Sequence, residues 1–137
     1  MISLELPADL RALRLIGPWI RSTLEFAGEA DVDSGVQRLE LALQEICVNV
    51  VEHAYDSDAS KQLRLSYEGD DGHRFTVFDD GVPYDPSTKP KVDLETPTEG
   101  GYGLFLAETL CDDVRYERRN DQNCWILVLN RCAQVAG

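Results

Sequence analysis

Leu43-Gln44-Glu45-Ile46-Cys47-Val48-Asn49-Val50-Val51-Glu52-His53-Ala54-Tyr55 is the most informative stretch of the chain. It ends a periodic segment that starts at Val36, in which Leu39, Leu43, Ile46 and Val50 continue one apolar stripe at helical spacing. Leu41, Val48 and Val51 add a second apolar side, so a helix from Val36 to Tyr55 buried between layers is predicted. At about 100° per residue, Glu45, Asn49, Glu52 and His53 fall in one wedge away from the Val36 stripe. A carboxylate and an amide stacked four residues apart suit a hard cation such as Mg2+, which keeps waters and takes few protein ligands. The same carboxylate could instead orient or deprotonate a nucleophile. A solvated stripe would give this spacing by chance.

On the N-terminal side, Ile2 to Leu6 alternates as a short edge strand that Pro7 ends. Leu10, Leu13, Ile16, Ile20, Leu24 and Ala27 mark a helix over 8–27, with Pro18 as a kink or a boundary. Gly28 to Ser34 connects it to the next helix, with Asp33 or Ser34 as the N-cap. On the C-terminal side, Gln62–Glu68 and His73–Asp79 read as paired strands around Gly69-Asp70-Asp71-Gly72. Residues 80–99 hold Pro83, Pro86, Pro90 and Pro97 without periodicity, and a loop of that length is usually functional or disordered. A helix over Gly101–Cys111 follows, then a hairpin of Val114–Arg119 and Cys124–Asn130 turning at residues 120–123. Early helices and late strands predict an α+β fold, a two-layer sandwich with helices on one face of a mixed, mostly antiparallel sheet.

The chain has 137 residues, which suits a single domain over 1–137 with its own core. Its 43% hydrophobic and 28% charged residues exclude wholesale disorder. Twenty-five acidic against 13 basic residues leave a net charge of −12 and a pI near 4.4, which repels phosphate backbones and anionic lipid. Neither nucleic acid nor membrane is expected as a partner. No apolar run approaches the ~20 residues of a membrane span. Met1-Ile2-Ser3-Leu4-Glu5 carries no basic leader, so a cytoplasmic location is expected. Cys47, Cys111, Cys124 and Cys132 form no CxxC and read as free thiols of a reducing compartment.

Two further groups carry chemistry. Asp79-Asp80-Gly81 closes a strand, where a carboxylate can accept from an exocyclic amine and a glycine lets backbone approach closely. Asp-Gly is also an ordinary turn dipeptide. Gly100-Gly101-Tyr102-Gly103-Leu104 opens a helix, whose free N–H groups and positive dipole end favour phosphate. It is not the dinucleotide fingerprint, because Leu106 stands at the third-glycine position, and no Gly-Lys-Ser/Thr follows it. Taken in order, a metal group, a base-reading carboxylate and a phosphate cradle make the equipment for Mg-ATP.

These segments resemble the bacterial anti-sigma-factor serine/threonine kinases, the switch-protein kinases of the ATPase superfamily that includes gyrase and sensor histidine kinases. Residues 43–55 resemble that family's N box, Asp79-Asp80-Gly81-Val82-Pro83-Tyr84-Asp85 its first glycine box, and Glu99-Gly100-Gly101-Tyr102-Gly103-Leu104-Phe105-Leu106-Ala107-Glu108-Thr109-Leu110 its second. The resemblance implies the histidine-kinase-like, Bergerat-type ATP-binding sandwich, usually a homodimer, with ATP and Mg2+ as cofactors. It implies Glu45 as the general base for a substrate serine and Asn49 as the Mg2+ ligand. Asp79 would hold the adenine amine, with Gly81 shaping that pocket. Gly100, Gly101 and Gly103 would wrap the phosphates, with His53, Tyr102 and Leu104 completing the nucleotide-binding set. Residues 82–99 would form the ATP lid, and Arg14 would lie near the partner surface. The partners implied are a STAS-domain antagonist, which is phosphorylated, and a sigma factor or other regulator, which is sequestered.

Some relatives carry an arginine just before the second glycine box, where this chain has Thr98-Glu99 and only Lys89 and Lys91 nearby. That departure motivates a second reading, a nucleotide-gated binding module with little kinase activity. A sensor histidine kinase is disfavoured, because His53 and His73 both lie within the domain and no phospho-acceptor helix pair precedes it. An acidic interaction domain with vestigial boxes is the remaining reading.

Overall fold

Leu63, Leu65 and Tyr67 alternate with polar residues, as do Phe75 and Val77, and the two runs pair in antiparallel register with Leu65 opposite Val77. The computed structural model describes residues 1–85 and 102–132. In it, β2 (Gln62–Gly69) and β3 (Gly72–Asp79) form the middle of a five-stranded sheet. Strand β1 (Ile2–Pro7) pairs with β2, β5 (Gln122–Asn130) pairs with β3, and β4 (Asp113–Arg119) lies outside β5, giving the order β1-β2-β3-β5-β4.

Among the described residues every strand pair is antiparallel, so the mostly antiparallel sheet expected has no parallel pair there. The connection after β3 returns β4 in the direction of β3. The tight β4–β5 turn then folds β5 back between them, so among the described strands β3 and β4 do not pair. That turn is two residues long rather than four: Asn120 and Asp121 have φ of 50° and 62°, as a type I′ hairpin requires. Gln122 and Asn123 consequently belong to β5, and Asn123 stands opposite Asp79.

The helices cover the sheet face that carries Leu65, Val77 and Trp125 in one cross-strand row, all buried. A 3-10 helix (Leu10–Leu15) is capped by Asp9, which accepts the Arg11 N–H, and α1 (Ile16–Phe26) follows. The predicted helix over 8–27 therefore divides at Ile16. Pro18 falls in the first turn of α1, where a missing N–H costs nothing. Helix α2 (Val32–Asn49) starts earlier than predicted because Asp31, not Asp33 or Ser34, is its N-cap. The Asp31 side chain accepts from the Ser34 N–H at 3.1 Å, and its own N–H is held by Glu29 Oε2 at 3.1 Å.

Leu39, Leu43 and Ile46 of α2 are each at most 1% exposed, and each full burial stabilises by about 1.5–3 kcal/mol. Helix α2 packs against α1 on one side and α3 (Tyr102–Leu110) on the other. Arg38 Nε donates to the Leu110 carbonyl at 2.7 Å and ties down the end of α3. The predicted helix to Tyr55 is α-helical only to Asn49. Val50–Ala54 form a π-turn in which the Tyr55 N–H reaches back five residues to the Val50 carbonyl. Positive φ at Asp56 and Ser57, and a Ser57 N–H bond to the Val51 carbonyl, then close the helix end. Among the described residues, no helix is long and apolar enough to cross a membrane.

Candidate nucleotide site

Three elements meet around the C-terminal half of α2. Glu45 and Asn49 lie one helical turn apart and half-buried. The start of α3 sits directly on them. A methyl on Gly103 would fall 2.9 Å from Glu45 Oε2, 3.2 Å from Glu45 Cβ and 3.5 Å from Asn49 Nδ2. The missing side chain lets the start of α3 lie close against the Glu45 and Asn49 side chains. The turn after β3 sits on the π-turn in the same way: a methyl on Gly81 would lie 2.4 Å from the Ala54 carbonyl oxygen. That carbonyl accepts the Val82 N–H at 3.0 Å, and the Tyr55 hydroxyl accepts the Asp80 N–H at 2.8 Å. The extra residue in each π-turn hydrogen-bonded ring thus helps set where the Ala54 carbonyl meets Asp79-Asp80-Gly81.

Asp79 is 1% exposed at the end of β3. Its Oδ1 accepts from the Gly81 N–H at 2.9 Å and from Asn123 Nδ2 at 2.7 Å. Its Oδ2 is buried and has no hydrogen-bond partner among the described residues. Burial pushes this carboxyl above the usual carboxylate range. The bonds from Asn123 and Gly81 offset part of that rise, Asp80 adds to it, and Arg118 opposes it. Burial, and then the Asp79 charge, push the Cys47 thiol up, so Cys47 is an inert packing residue. An unsatisfied buried acceptor costs about 1–3 kcal/mol, and a ligand amine is the group that would satisfy it. The donor set and the close glycine approaches therefore fit the base and phosphates of a nucleotide.

Asn123 is also 1% exposed. Besides its bond to Asp79, its Nδ2 donates to the Val82 carbonyl at 3.0 Å and, more weakly, to the Gly81 carbonyl at 3.4 Å. Its Oδ1 accepts from the Tyr116 hydroxyl and from Arg118 Nη1, the latter at 3.0 Å. Arg118 Nη1 also reaches the Gly81 carbonyl at 3.0 Å, Gln122 Nε2 donates to Asp80 Oδ1 at 3.0 Å, and the Tyr116 hydroxyl accepts the Tyr84 N–H at 3.0 Å. The rings of Tyr84, Tyr116 and Trp125 pack together with centroids 4.8–5.4 Å apart. Asn123, Tyr116 and Arg118 escape the sequence reading, which places Asn123 in a turn. The signal was the pair Asn120-Asp121, two residues that tolerate the left-handed region and so allow the shorter turn.

The other anticipated residues divide. His53 is exposed on the π-turn, beyond the half-buried Glu45 and Asn49. Arg14 is exposed on the 3-10 helix, with its Nε on the Arg11 carbonyl at 3.1 Å. Tyr102 begins α3, and Leu104 is half-buried against the core. Gly100, Gly101, Lys89, Lys91, Thr98 and Glu99 lie outside the described residues, as does the anticipated lid beyond Asp85. Among the described residues there is no group of three or more His, Cys, Asp or Glu side chains that could hold a metal. A cation here would rest on Asn49 with water and phosphate oxygens, a donor set of the kind Mg2+ takes.

An antiparallel sheet under three helices, with glycine turns converging on a helix that carries Glu45 and Asn49, is the architecture of a nucleotide-binding domain. The chain belongs to the histidine kinase-like ATPase domain family, which it matches over residues 6–129. Among its relatives is the serine-protein kinase RsbW of Bacillus subtilis, 31% identical over 94 residues that span 62% of this chain and 59% of that protein. The chain thus covers about three-fifths of the length of that relative. RsbW of Listeria innocua is 33% identical over 128 residues, spanning 83% of this chain and 77% of that one. The structure of the RsbU and RsbW domains of Rv1364c from Mycobacterium tuberculosis shares the fold, with a TM-score of 0.61 at 22% identity over 96% of this chain and 33% of that one. The histidine kinase domain of a blue-light activated kinase from Erythrobacter litoralis shares it at a TM-score of 0.51 and 21% identity, over 90% of this chain and 65% of that one.

Proposed function

We propose that this chain is a Mg-ATP-dependent protein-serine kinase of a partner-switching pathway. It phosphorylates a serine of a STAS-domain antagonist and sequesters a sigma factor or another regulator. The observation that carries the reading is the closeness of the Glu45 carboxylate to Gly103 in the first turn of α3. Glu45 accepts the proton of the substrate serine hydroxyl as that oxygen bonds the γ-phosphorus. The bond from the γ-phosphorus to the bridging oxygen breaks, and ADP leaves. Asn49 holds Mg2+, which neutralises charge on the phosphates. Asp79 Oδ2 accepts the adenine amine, Gly81 shapes that pocket, and Gly100, Gly101 and Gly103 serve as the phosphate-binding glycines. Residues 82–99 serve as the ATP lid of a single domain over 1–137, and Arg14 lies on the partner surface. The working protein is a cytoplasmic homodimer.

Glu45→Gln keeps the volume of the side chain and removes the base. It is expected to retain Mg-ATP binding and to lose transfer to the antagonist serine, by 100-fold or more on the usual ~10²–10⁴ contribution of a general base. Undiminished phosphorylation by this variant overturns the role of Glu45. Thr98-Glu99, in place of an arginine, favours one second reading, a nucleotide-gated binder with little transfer activity. It predicts ATP-dependent capture of the partner with no phosphoserine formed by the unaltered protein.

A further inference from the structure

We propose that Asn123 is a positioning residue that sets base selectivity through Asp79, without touching the base itself. The inference rests on the reading of Asp79 as the acceptor for the adenine amine. An asparagine side chain offers two N–H donors and one carbonyl oxygen with two lone pairs. Here all four are spent. The donors go to Asp79 Oδ1 at 2.7 Å and to the Val82 carbonyl at 3.0 Å. The acceptor sites take the Tyr116 hydroxyl and, at 3.0 Å, Arg118 Nη1. With 1% exposure and no capacity left over, Asn123 has nothing to offer a ligand.

What it does is divide the two oxygens of Asp79. Oδ1 is held by Asn123 and by the Gly81 N–H, so the carboxylate cannot rotate without breaking both bonds. Oδ2 is left without a partner among the described residues. An acceptor fixed in place welcomes a 6-amino group and meets the 6-oxo group of hypoxanthine or guanine as acceptor against acceptor. A carboxylate free to turn would present either oxygen, loosely, and would discriminate less. Asn123 is itself fixed from β4, through Tyr116 and Arg118, and those two residues also hold the Tyr84 N–H and the Gly81 carbonyl. The β4–β5 hairpin therefore acts as the clamp on the base-reading turn, although neither of its strands carries a nucleotide motif.

The test is titration of the full chain with Mg-ADP and Mg-IDP, which differ at the 6-position of the base. The unaltered protein is expected to prefer ADP by 10-fold or more. Asn123→Ala is expected to weaken ADP about 10-fold and to bring the ADP/IDP ratio to within about threefold of unity. A residue that served packing alone would weaken both ligands and leave the ratio where it was. Tyr116→Phe keeps the ring against Trp125 and removes only the hydroxyl from Asn123 Oδ1. It is expected to lower the ratio a few-fold, and it decides the matter should Asn123→Ala not fold. Asp79→Asn separates the two claims. If the unaltered protein prefers ADP and Asp79→Asn abolishes the preference, the reading of Asp79 stands. An unchanged ratio in every Asn123 or Tyr116 variant that folds then overturns the positioning role alone. If the unaltered protein binds ADP and IDP equally, the base reading and this inference both fall.

Discussion

Gly81 and Gly103 differ in what a methyl group would strike. At Gly81 it meets the Ala54 carbonyl at 2.4 Å, and that carbonyl already holds the Val82 N–H, so backbone must move. Gly81→Ala is expected to cost about 1–3 kcal/mol, the usual range for overpacking, and to lower Tm by several degrees. At Gly103 the nearest atom, 2.9 Å away, is the tip of the Glu45 side chain, which can swing aside, and the Glu45 Cβ is at a tight 3.2 Å that needs a shift of a few tenths of an ångström. Gly103→Ala is expected to lower Tm less than Gly81→Ala does while displacing the carboxylate assigned as the base, so phosphotransfer falls by more than 10-fold. Thermal melts together with a phosphoserine assay on both variants check the contrast, and equal losses of stability contradict it. Both glycines were legible in the sequence as parts of boxes. Which atoms they make room for was not, because that depends on two helices and a turn brought together from distant parts of the chain.

The β4–β5 hairpin turns through Asn120 and Asp121, both at positive φ. Asparagine tolerates that region, and aspartate does so less well than glycine, so the turn carries a small strain. Asp121→Gly is expected to raise stability by up to about 1 kcal/mol and Tm by a few degrees, with nucleotide affinity unchanged. A loss of stability would show that the turn is not of the primed type. The strands themselves were readable from alternation, and α2 from its apolar stripe. Three boundaries were not. The N-cap fell to Asp31, whose N–H is fixed by Glu29, a residue itself held by His73 and the Cys132 N–H from distant parts of the chain. Pro18 settled into a first turn once the 3-10 helix had absorbed the preceding residues. The π-turn after Asn49 leaves no mark in the 3.6-residue period, yet it carries the Ala54 carbonyl to the glycine turn.

The two ends of the sheet are fastened differently. At Asp79, one acceptor oxygen stands without a partner among the described residues. Near the other end of β3, His73 is fully buried, with its Nδ1 2.9 Å from the Tyr67 hydroxyl and its Nε2 3.3 Å from Glu29 Oε1. Glu29 also accepts the Cys132 N–H at 2.9 Å, which ties the end of β5 to the α1–α2 connection. Burial pushes the His73 ring below its ordinary 6.5, only partly countered by Glu29. Burial raises the Glu29 carboxyl, but the Cys132 and Asp31 N–H groups and His73 outweigh that and hold it below 4.5. For both groups the unfolded chain binds protons more readily than the folded one, so both stabilise the fold less as pH falls. The His73 share is present above pH 6.5 and is lost as pH drops below that value toward its folded pKa. The Glu29 share begins to be lost only below about 4.5. Asp79, raised from 3.8, works in the opposite sense. Tm is therefore expected to start declining below pH 6.5, and His73→Gln to flatten the upper part of that decline. A Tm flat from pH 7 to 5 contradicts the account of His73.

The acidic composition, the helix-then-strand order and the three ordered boxes were enough to point to the family from sequence. The antiparallel sheet and the hairpin clamp needed tertiary structure. On the proposed reading of Asp79, whose ionised Oδ2 accepts and does not donate, the protein is expected to bind ATP and to prefer it to GTP. Calorimetric titration of the intact chain with Mg-ATP, and separately with Mg-GTP, tests this most directly. One site per chain for ATP is expected, with GTP at least 10-fold weaker. At ATP near 100 times Kd, the fold should gain about 2.7 kcal/mol. No heat and no thermal shift with ATP, or equal affinity for the two nucleotides, would contradict the account.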